Sequence, residues 1–355
     1  MSKYSKLSQL MHKQFLGEGE ITNLCLERIY NKSKSFNLNS CKNIFITGLA
    51  RAGTTAILNY IDSTNEFGSL RYKYMPFILA PRIADFYSEY LVNKNTIEIE
   101  RLHGDGLMIS PQAAECLDEP FWIHSNKEKF NHSCLSPYEI SVKDVTGYAY
   151  LLNRFLKIEG KKRLVIKNNN NHLRILSLAS YLPNSIFLII FRSPLAHAKS
   201  LLKLHKRLLK SQREDKFILD YMELIGHWEF GFGKKKFIYN ESHELILNSL
   251  DDLKIEYWIK QWLLTYEWIL RIFSKKDKKI NNIKLVCYED LFKDENYKSI
   301  FFDYLSINKS KLNFSFKLGK SNLESYPISN EDFELEKCNI IYEELRQLSK
   351  LNLNK

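Results

Sequence analysis

Apolar residues recur at helical spacing near the start of the chain, at Leu7, Leu10, Met11 and Phe15 and again at Leu24, Leu26, Ile29 and Tyr30. With Gly17 and Gly19 between the two sets, the pattern predicts two amphipathic helices within residues 1–41. The period then changes. Asn43 to Thr47 is a short apolar run ended by Gly48, which suits a buried strand, and helical spacing resumes from Thr54 to about Ile61. Strand, glycine turn and helix make the first half of a βαβ unit.

A second unit is clearer. Arg163 to Lys167 reads as a strand, His172 to Tyr181 as a helix stopped before Pro183, and Ser185 to Phe191 as a continuous apolar strand of the parallel-sheet kind. Ser193 and Pro194 supply an N-cap and a proline at the first helical position, opening a long helix with Leu195, Ala198, Leu201, Leu202 and Leu208. Residues 253–273 predict another long helix, with Trp258, Trp262 and Trp268 mostly in the core, and Lys284 to Tyr288 a further strand. No internal repeat or linker interrupts this order. The expected fold class is α/β, a parallel β-sheet flanked by helices with helical insertions, among which 212–250 is the first choice for an insertion or lid. One domain over 1–355 is expected, with a helical extension at 1–41, a core at 43–292 and a C-terminal helical region at 293–355.

Composition agrees with a large core: 45% of the 355 residues are hydrophobic and 13% aromatic, which excludes a disordered chain. The formal net charge of +11 would draw nucleic acid, anionic lipid, an anionic cofactor or an acidic polysaccharide. Much of it lies in Lys234, Lys235 and Lys236 and in Lys275, Lys276, Lys278 and Lys279, which read as solvated surface, so charge alone names no partner. No nucleic-acid-binding module is recognisable. The cysteines Cys25, Cys41, Cys116, Cys134, Cys287 and Cys338 form no CxxC pair or Cys/His ligand spacing, so no metal site is expected and reduced thiols suit the cytosol. The start of the chain lacks a signal-peptide apolar region and no apolar run is long enough to span a membrane, so a cytoplasmic location is expected.

Candidate chemistry begins at Gly48-Leu49-Ala50-Arg51-Ala52-Gly53-Thr54-Thr55. The glycines have Walker A spacing, in which the backbone closes round an anion and the N–H groups of the following helix point at it. Thr54 stands where a nucleoside triphosphatase has lysine, and the cation, Arg51, is inside the loop instead. No apolar strand ends in an aspartate suited to magnesium, and the strand 185–191 ends in Arg192. A 5′-phosphate-like group held without a metal fits this loop better than a triphosphate. A purely structural strand–helix turn is the competing reading.

The second candidate is Arg192 with Ser200, eight positions on, so that guanidinium and hydroxyl could converge on one dianion near a helix start. Alone, this too could be an ordinary strand–helix corner. Two phosphate sites in this order fit a ligand phosphorylated at both ends.

These segments resemble the sulfotransferases that use 3′-phosphoadenosine-5′-phosphosulfate (PAPS). Ala50 to Thr55 is similar to their 5′-phosphosulfate loop, with Ala50 in place of the usual proline, and Arg192 to Ser200 is similar to their 3′-phosphate motif. The resemblance implies that Gly48, Arg51, Ala52, Gly53, Thr54, Thr55, Ala56, Arg192 and Ser200 bind the nucleotide, with PAPS as co-substrate and no metal. It places Lys167 where the family carries a lysine facing the sulfuryl group, and it makes Tyr288-Glu289-Asp290-Leu291 a structural mark. It runs from about residue 43 to 292, and SLRYKYMPF, HGDG, KNNNN and GHWEFG resemble a bacterial branch of the family.

Sulfuryl transfer grows negative charge on the departing bridging oxygen, and Arg51 and Lys167 are the candidate cations there. Without the family context, Lys167 equally reads as a snorkelling surface lysine. The acceptor, a hydroxyl of a glycan, lipid or small metabolite, needs a general base. Arg71 and Tyr72 occupy the region where some relatives have a glutamate, and Asn169 the place of a histidine in others. Glu115 is the leading choice and Asp105, in the HGDG turn with His103, the second. Glu115, Asp118 and Glu119 would share a helix face, ordinarily a solvated one, and the remaining histidines read as ordinary. Asn168 to Asn171 could bond an acceptor sugar or cap the next helix, and Lys317 to Lys320 is the only counterpart of the family's late Arg-Lys-Gly segment. A P-loop kinase or nucleoside triphosphatase, and a non-catalytic PAPS-binding protein, are the rival readings.

Overall fold

The computed structural model describes residues 5–92, 99–100, 108–115, 117–274, 281–308 and 333–353. Two helices open it, α1 (Lys6–Leu16) and α2 (Glu20–Ser33), and lead to strand β1 (Ile44–Thr47) and helix α3 (Thr54–Asp62). Then come α4 (Pro81–Val92), the antiparallel pair β2 (Ile99–Glu100) and β3 (Met108–Ile109), α5 (Glu119–Ser125), β4 (Cys134–Leu135) and α6 (Val142–Ile158). Strand β5 (Val165–Lys167) passes through a 3₁₀ segment at Asn169–Arg174 into α7 (Ile175–Tyr181), so the regular helix begins later than its apolar spacing predicts. Strand β6 (Ile186–Phe191) feeds α8 (Pro194–Glu214), followed by α9 (Lys216–Leu224), β7 (Lys236–Phe237), α10 (Ser242–Asn248) and α11 (Ile255–Ser274). Strand β8 (Ile283–Cys287), α12 (Tyr288–Lys293), α13 (Glu295–Tyr304) and α14 (Phe333–Leu353) complete the order.

The central sheet is parallel throughout, in the order β5-β1-β6-β8, and β4 pairs with β7 apart from it. Its strands read as unbroken apolar runs because both faces are covered. On one face Phe45, Ile166, Phe187 and Leu285 join the core made with α6, α8 and α11; on the other Ile44, Val165, Leu188 and Val286 pack with α3, α12 and α13. Phe45 stacks on Phe187 across the β1–β6 pair at 4.8 Å between ring centres. Helix α14 packs along β8 and α11, and Arg346 grips Asp290 of α12 through three hydrogen bonds of 2.7–3.0 Å.

Among the described residues, no helix is long and apolar enough to cross a membrane. Lys234 and Lys235 are not a solvated face. Lys234 lies 3.9 Å from the centre of the Tyr257 ring and pairs with Asp252 at 3.2 Å, while Lys235 covers Trp228 at 4.3 Å. Aromatic rings, one of them on α11, hold these stems, which the run of lysines by itself does not announce. The lysines at 275–279 lie outside the described residues.

Candidate functional site

The sheet order brings three strand ends side by side: Lys167 at the end of β5, the Gly48–Gly53 loop after β1, and Arg192 just beyond β6. Neighbouring strands are spaced by about 4.8 Å, so the outer two of the three ends stand roughly 10 Å apart. Lys167, Arg51 and Arg192 therefore line one carboxyl-terminal edge of the sheet, the place where open parallel sheets bind ligands.

The loop needs its unusual backbone. Gly48, Arg51 and Gly53 all have positive φ, at +136°, +69° and +102°. A Cβ on Gly48 would lie 2.4 Å from the Ile190 carbonyl oxygen, and one on Gly53 would lie 2.2 Å from the Tyr288 ring. Glycine at both positions lets the loop press against β6 and α12. Behind it, His197 of α8 bonds the Ala50 carbonyl through Nε2 at 2.8 Å, and burial pushes that imidazole down to about 3. A neutral ring thus supports the loop. Ala52 is fully buried and Ala56 half-buried.

The two threonines have separate roles. Thr54 is 3% exposed and its hydroxyl donates to Asn169 Oδ1 at 3.2 Å, so it ties the loop to the segment after β5. Thr55 is half-buried at the helix start and is the better placed of the two to meet a ligand.

Arg51 Nε donates to Ser200 Oγ at 3.0 Å. The two candidate phosphate motifs are thus in direct contact, where sequence spacing pairs Ser200 with Arg192. Arg192 Nε is enclosed without a hydrogen-bond partner among the described residues; it lies 3.9 Å from Glu289 Oε1, and its guanidinium covers the Tyr288 ring at 5.4 Å. Ser193 makes no side-chain cap; its N–H donates to Glu289 Oε1 at 3.1 Å instead. Glu289 of the Tyr288–Leu291 segment thus lies beside Arg192, the candidate second clamp. Tyr342 of α14 orients that carboxylate through a 3.1 Å bond to Oε2.

Lys167 is 4% exposed and does not snorkel: its ammonium meets Glu115 Oε1 at 2.6 Å, and Glu115 is itself 4% exposed. Glu115 precedes α5 rather than sharing its face with Asp118 and Glu119. All three acids are buried, contrary to the expectation of a solvated face. Each has partners far away in the chain. Glu119 pairs with the buried Arg174, Asp118 accepts from Tyr148 Oη and from Asn168 Nδ2, and Asn168 also donates to Glu119 at 2.6 Å. Burial drives the Asp118 carboxyl up to about 6. His103 and Asp105, and the segment Lys317 to Lys320, lie outside the described residues. Arg71 is held by Asp62 at 2.9 Å and Glu159 at 2.9 Å.

The asparagine run is buried and structural in its contacts. Asn168 Oδ1 accepts from the Asn170 N–H at 2.9 Å, capping the 3₁₀ turn. Asn169 Nδ2 donates to Glu229 Oε1 at 2.9 Å and Asn170 Nδ2 to the Gly226 carbonyl at 3.1 Å, so the run docks the GHWEFG turn. Glu229, with Leu49, Ala50 and Gln261, lines a small cavity behind the phosphate loop. Sequence reasoning missed Glu229 and His227; the only signal was their place in the GHWEFG turn. A cleft of about 540 Å³ between α1, α5 and α9 is lined by Leu16, Ile123, Phe130, Leu224 and Trp228, and includes none of Lys167, Arg51 and Arg192.

Among solved structures, the chain is similar to sulfotransferase STF1 from Mycobacterium tuberculosis H37Rv, at 15% identity and a TM-score of 0.49, covering 97% of this chain and 87% of that one. It is similar also to sulfotransferase STF9 from Mycobacterium avium, at 12% identity and a TM-score of 0.46, covering 97% and 83%. No curated protein matches it. The sulfotransferase family profile matches residues 43–238, from β1 through β7 and more than half of the chain. That stretch includes the candidate phosphate loop, Lys167, Arg192 and Ser200, and the chain belongs to the sulfotransferase family.

Proposed function

We propose that this sulfotransferase takes its sulfuryl group from PAPS and passes it to a hydroxyl by in-line displacement without a metal. The observation that carries the reading is the alignment of Lys167, Arg51 and Arg192 at three adjacent strand ends, with Arg51 touching Ser200 at 3.0 Å. A nucleotide with a phosphate at each end of one ribose needs two cationic sites close together, and a third cation beside them suits a sulfuryl group.

In this reading the loop N–H groups, Arg51 and Thr55 take the 5′-phosphosulfate, with Gly48, Ala52, Gly53 and Ala56 giving the backbone its path. Arg192 and Ser200 take the 3′-phosphate. As the acceptor oxygen bonds to sulfur, the bond from sulfur to the bridging oxygen breaks and its electron pair remains on the nucleotide phosphate. Arg51 and Lys167 stabilise that growing charge. Thr54 stays with Asn169 and fixes the helix start. Residues 1–355 act as one domain in this account, and the acceptor is a hydroxylated glycan, lipid or small metabolite.

The test compares thermal denaturation with adenosine 3′,5′-bisphosphate in a chelator, with ATP and magnesium, and with buffer alone. The bisphosphate should raise the midpoint without metal and ATP–magnesium should leave it near the buffer value. The reverse order would favour a nucleoside triphosphatase.

A further inference from the structure

We infer that His227 takes the proton from the acceptor hydroxyl as the sulfuryl group arrives. This rests on the donor reading above and supplies the base that reading lacks.

The turn carrying His227 is tied to the segment directly after Lys167. Asn170 holds the Gly226 carbonyl at 3.1 Å, and Asn169 holds Glu229 at 2.9 Å, one anchor on each side of the histidine. Gly226 has φ +70°, and a Cβ there would come within 2.4 Å of Glu119 Cγ, so the backbone of the turn lies against the buried acids. The charged groups that act on the ring are Glu229, Lys167, Glu115 and Glu119. His227 is therefore brought to the β5 end of the cation row.

The half-buried His227 ring differs from four buried histidines in how it is held. His172, His124 and His197 each tie a ring nitrogen to a backbone carbonyl, and His205 Nδ1 accepts from the Gly231 N–H. His227 Nε2 is enclosed and has no hydrogen-bond partner among the described residues, as is also true of His124 Nδ1, His197 Nδ1 and His205 Nε2, but those three rings are each held through the other nitrogen and His227 is not. An enclosed polar nitrogen left unpartnered is costly, and a ligand hydroxyl would satisfy it. Burial also lowers the affinity of this ring for a proton, which keeps a neutral imidazole with a lone pair to offer. Glu115 is less suited to the role, because its carboxylate already meets the Lys167 ammonium at 2.6 Å. Trp228, next along the turn, lines the cleft of about 540 Å³, a volume in the range of small-molecule sites. The turn thus has His227 on its cation side and Trp228 on its cleft side.

In the step itself, the acceptor oxygen bonds to sulfur while its proton moves to the imidazole. The sulfur–oxygen bond to the nucleotide breaks, leaving adenosine 3′,5′-bisphosphate, and the imidazolium later gives its proton to water.

The experiment uses the full chain with sulfur-labelled PAPS, with 2-naphthol and 2-phenylethanol as probe acceptors. His227→Gln should bind adenosine 3′,5′-bisphosphate as the wild type does, by calorimetry, while label transfer falls by about 10²–10⁴-fold. The acidic limb of kcat/KM against pH should vanish in that variant. In His227→Ala, added imidazole should restore part of the rate, which a merely structural role would not allow. Ring-labelled histidine followed by NMR supplies a readout that needs no acceptor: the His227 signals should shift as PAPS is added. Wild-type transfer rates and pH profile in His227→Gln, or His227 signals unmoved by saturating PAPS, would overturn the inference. Failure of the wild type to bind the bisphosphate would instead remove the donor reading beneath it.

Discussion

Glu289 Oε1 lies 3.9 Å from Arg192 Nε while accepting the Ser193 N–H at 3.1 Å. The protein's own carboxylate thus stands at the start of α8, where helix polarity and a guanidinium would attract an external anion. The candidate second clamp at Arg192 has a carboxylate of the protein beside it.

That relationship predicts opposite effects at the two residues. Glu289→Gln keeps an acceptor for Ser193 but removes the charge, and should tighten binding of adenosine 3′,5′-bisphosphate by about 1 kcal/mol, or roughly fivefold. Arg192→Ala and Arg51→Ala should each weaken it by about 1.5–3 kcal/mol, the range for hydrogen bonds to charged groups. Calorimetric titration measures all three. Weaker binding in Glu289→Gln would mean that the carboxylate positions Arg192 instead of competing for it.

The Lys167–Glu115 pair makes a stability prediction independent of any ligand. Both groups are 4% exposed, so Lys167→Met leaves a buried carboxylate without its ammonium. The loss should be about 3–5 kcal/mol, and Lys167→Met with Glu115→Leu should recover much of it. Urea unfolding of the two single variants and the double variant closes the cycle. Equal losses in the single and double variants would show that the pair does not act as a unit.

Acid stability should be set by groups of opposite sign. Burial lowers His172 to about 4 and His197 to about 3 from an ordinary 6.5. The unfolded chain binds these protons and the fold refuses them, so this stability is present above pH 6.5 and is lost as pH falls towards 4. Asp118, raised to about 6 from 3.8, works the other way: its contribution is present below about pH 4 and is lost as pH rises through 6. His172→Gln should flatten the acid decline of the wild type between pH 6.5 and 4, and Asp118→Asn should steepen it. Unfolding midpoints in urea at pH 7, 5.5 and 4.5 check both signs.

Gly53 joins the two clamps through sterics alone. With φ at +102° and the Tyr288 ring 2.2 Å from any added Cβ, Gly53→Ala must displace the ring that Arg192 covers. It should cost about 1–3 kcal/mol of stability and weaken bisphosphate binding as well. Ala52→Gly, at a fully buried alanine with negative φ, should weaken binding less, and thermal shift with the bisphosphate compares the two.

What the sequence revealed follows from how local each cause is. Strands β1 and β6 were legible because burial on both faces leaves an unbroken apolar run, and the start of α8 because Pro194 fits only the first helical turn. The turn after β1 was legible because its backbone demands glycine at fixed spacing. The buried acids were not, since their partners Lys167, Tyr148, Asn168 and Arg174 are between 30 and 55 residues away. Lys234 and Lys235 misled because a run of lysines does not reveal the rings that their stems cover, Tyr257 of α11 and Trp228. His227 gave no signal beyond its place in the GHWEFG turn, because its surroundings are assembled from separated segments.

Helix α14 grips Asp290 through Arg346 and steadies Glu289 through Tyr342. During translation, β1, its loop and β6 leave the ribosome more than a hundred residues before that helix does. A nascent chain can therefore pair β1 with β6 early, but the contact of Tyr342 with Glu289 forms only once α14 has emerged and docked. The surroundings of Glu289 are therefore the later of the two to be completed.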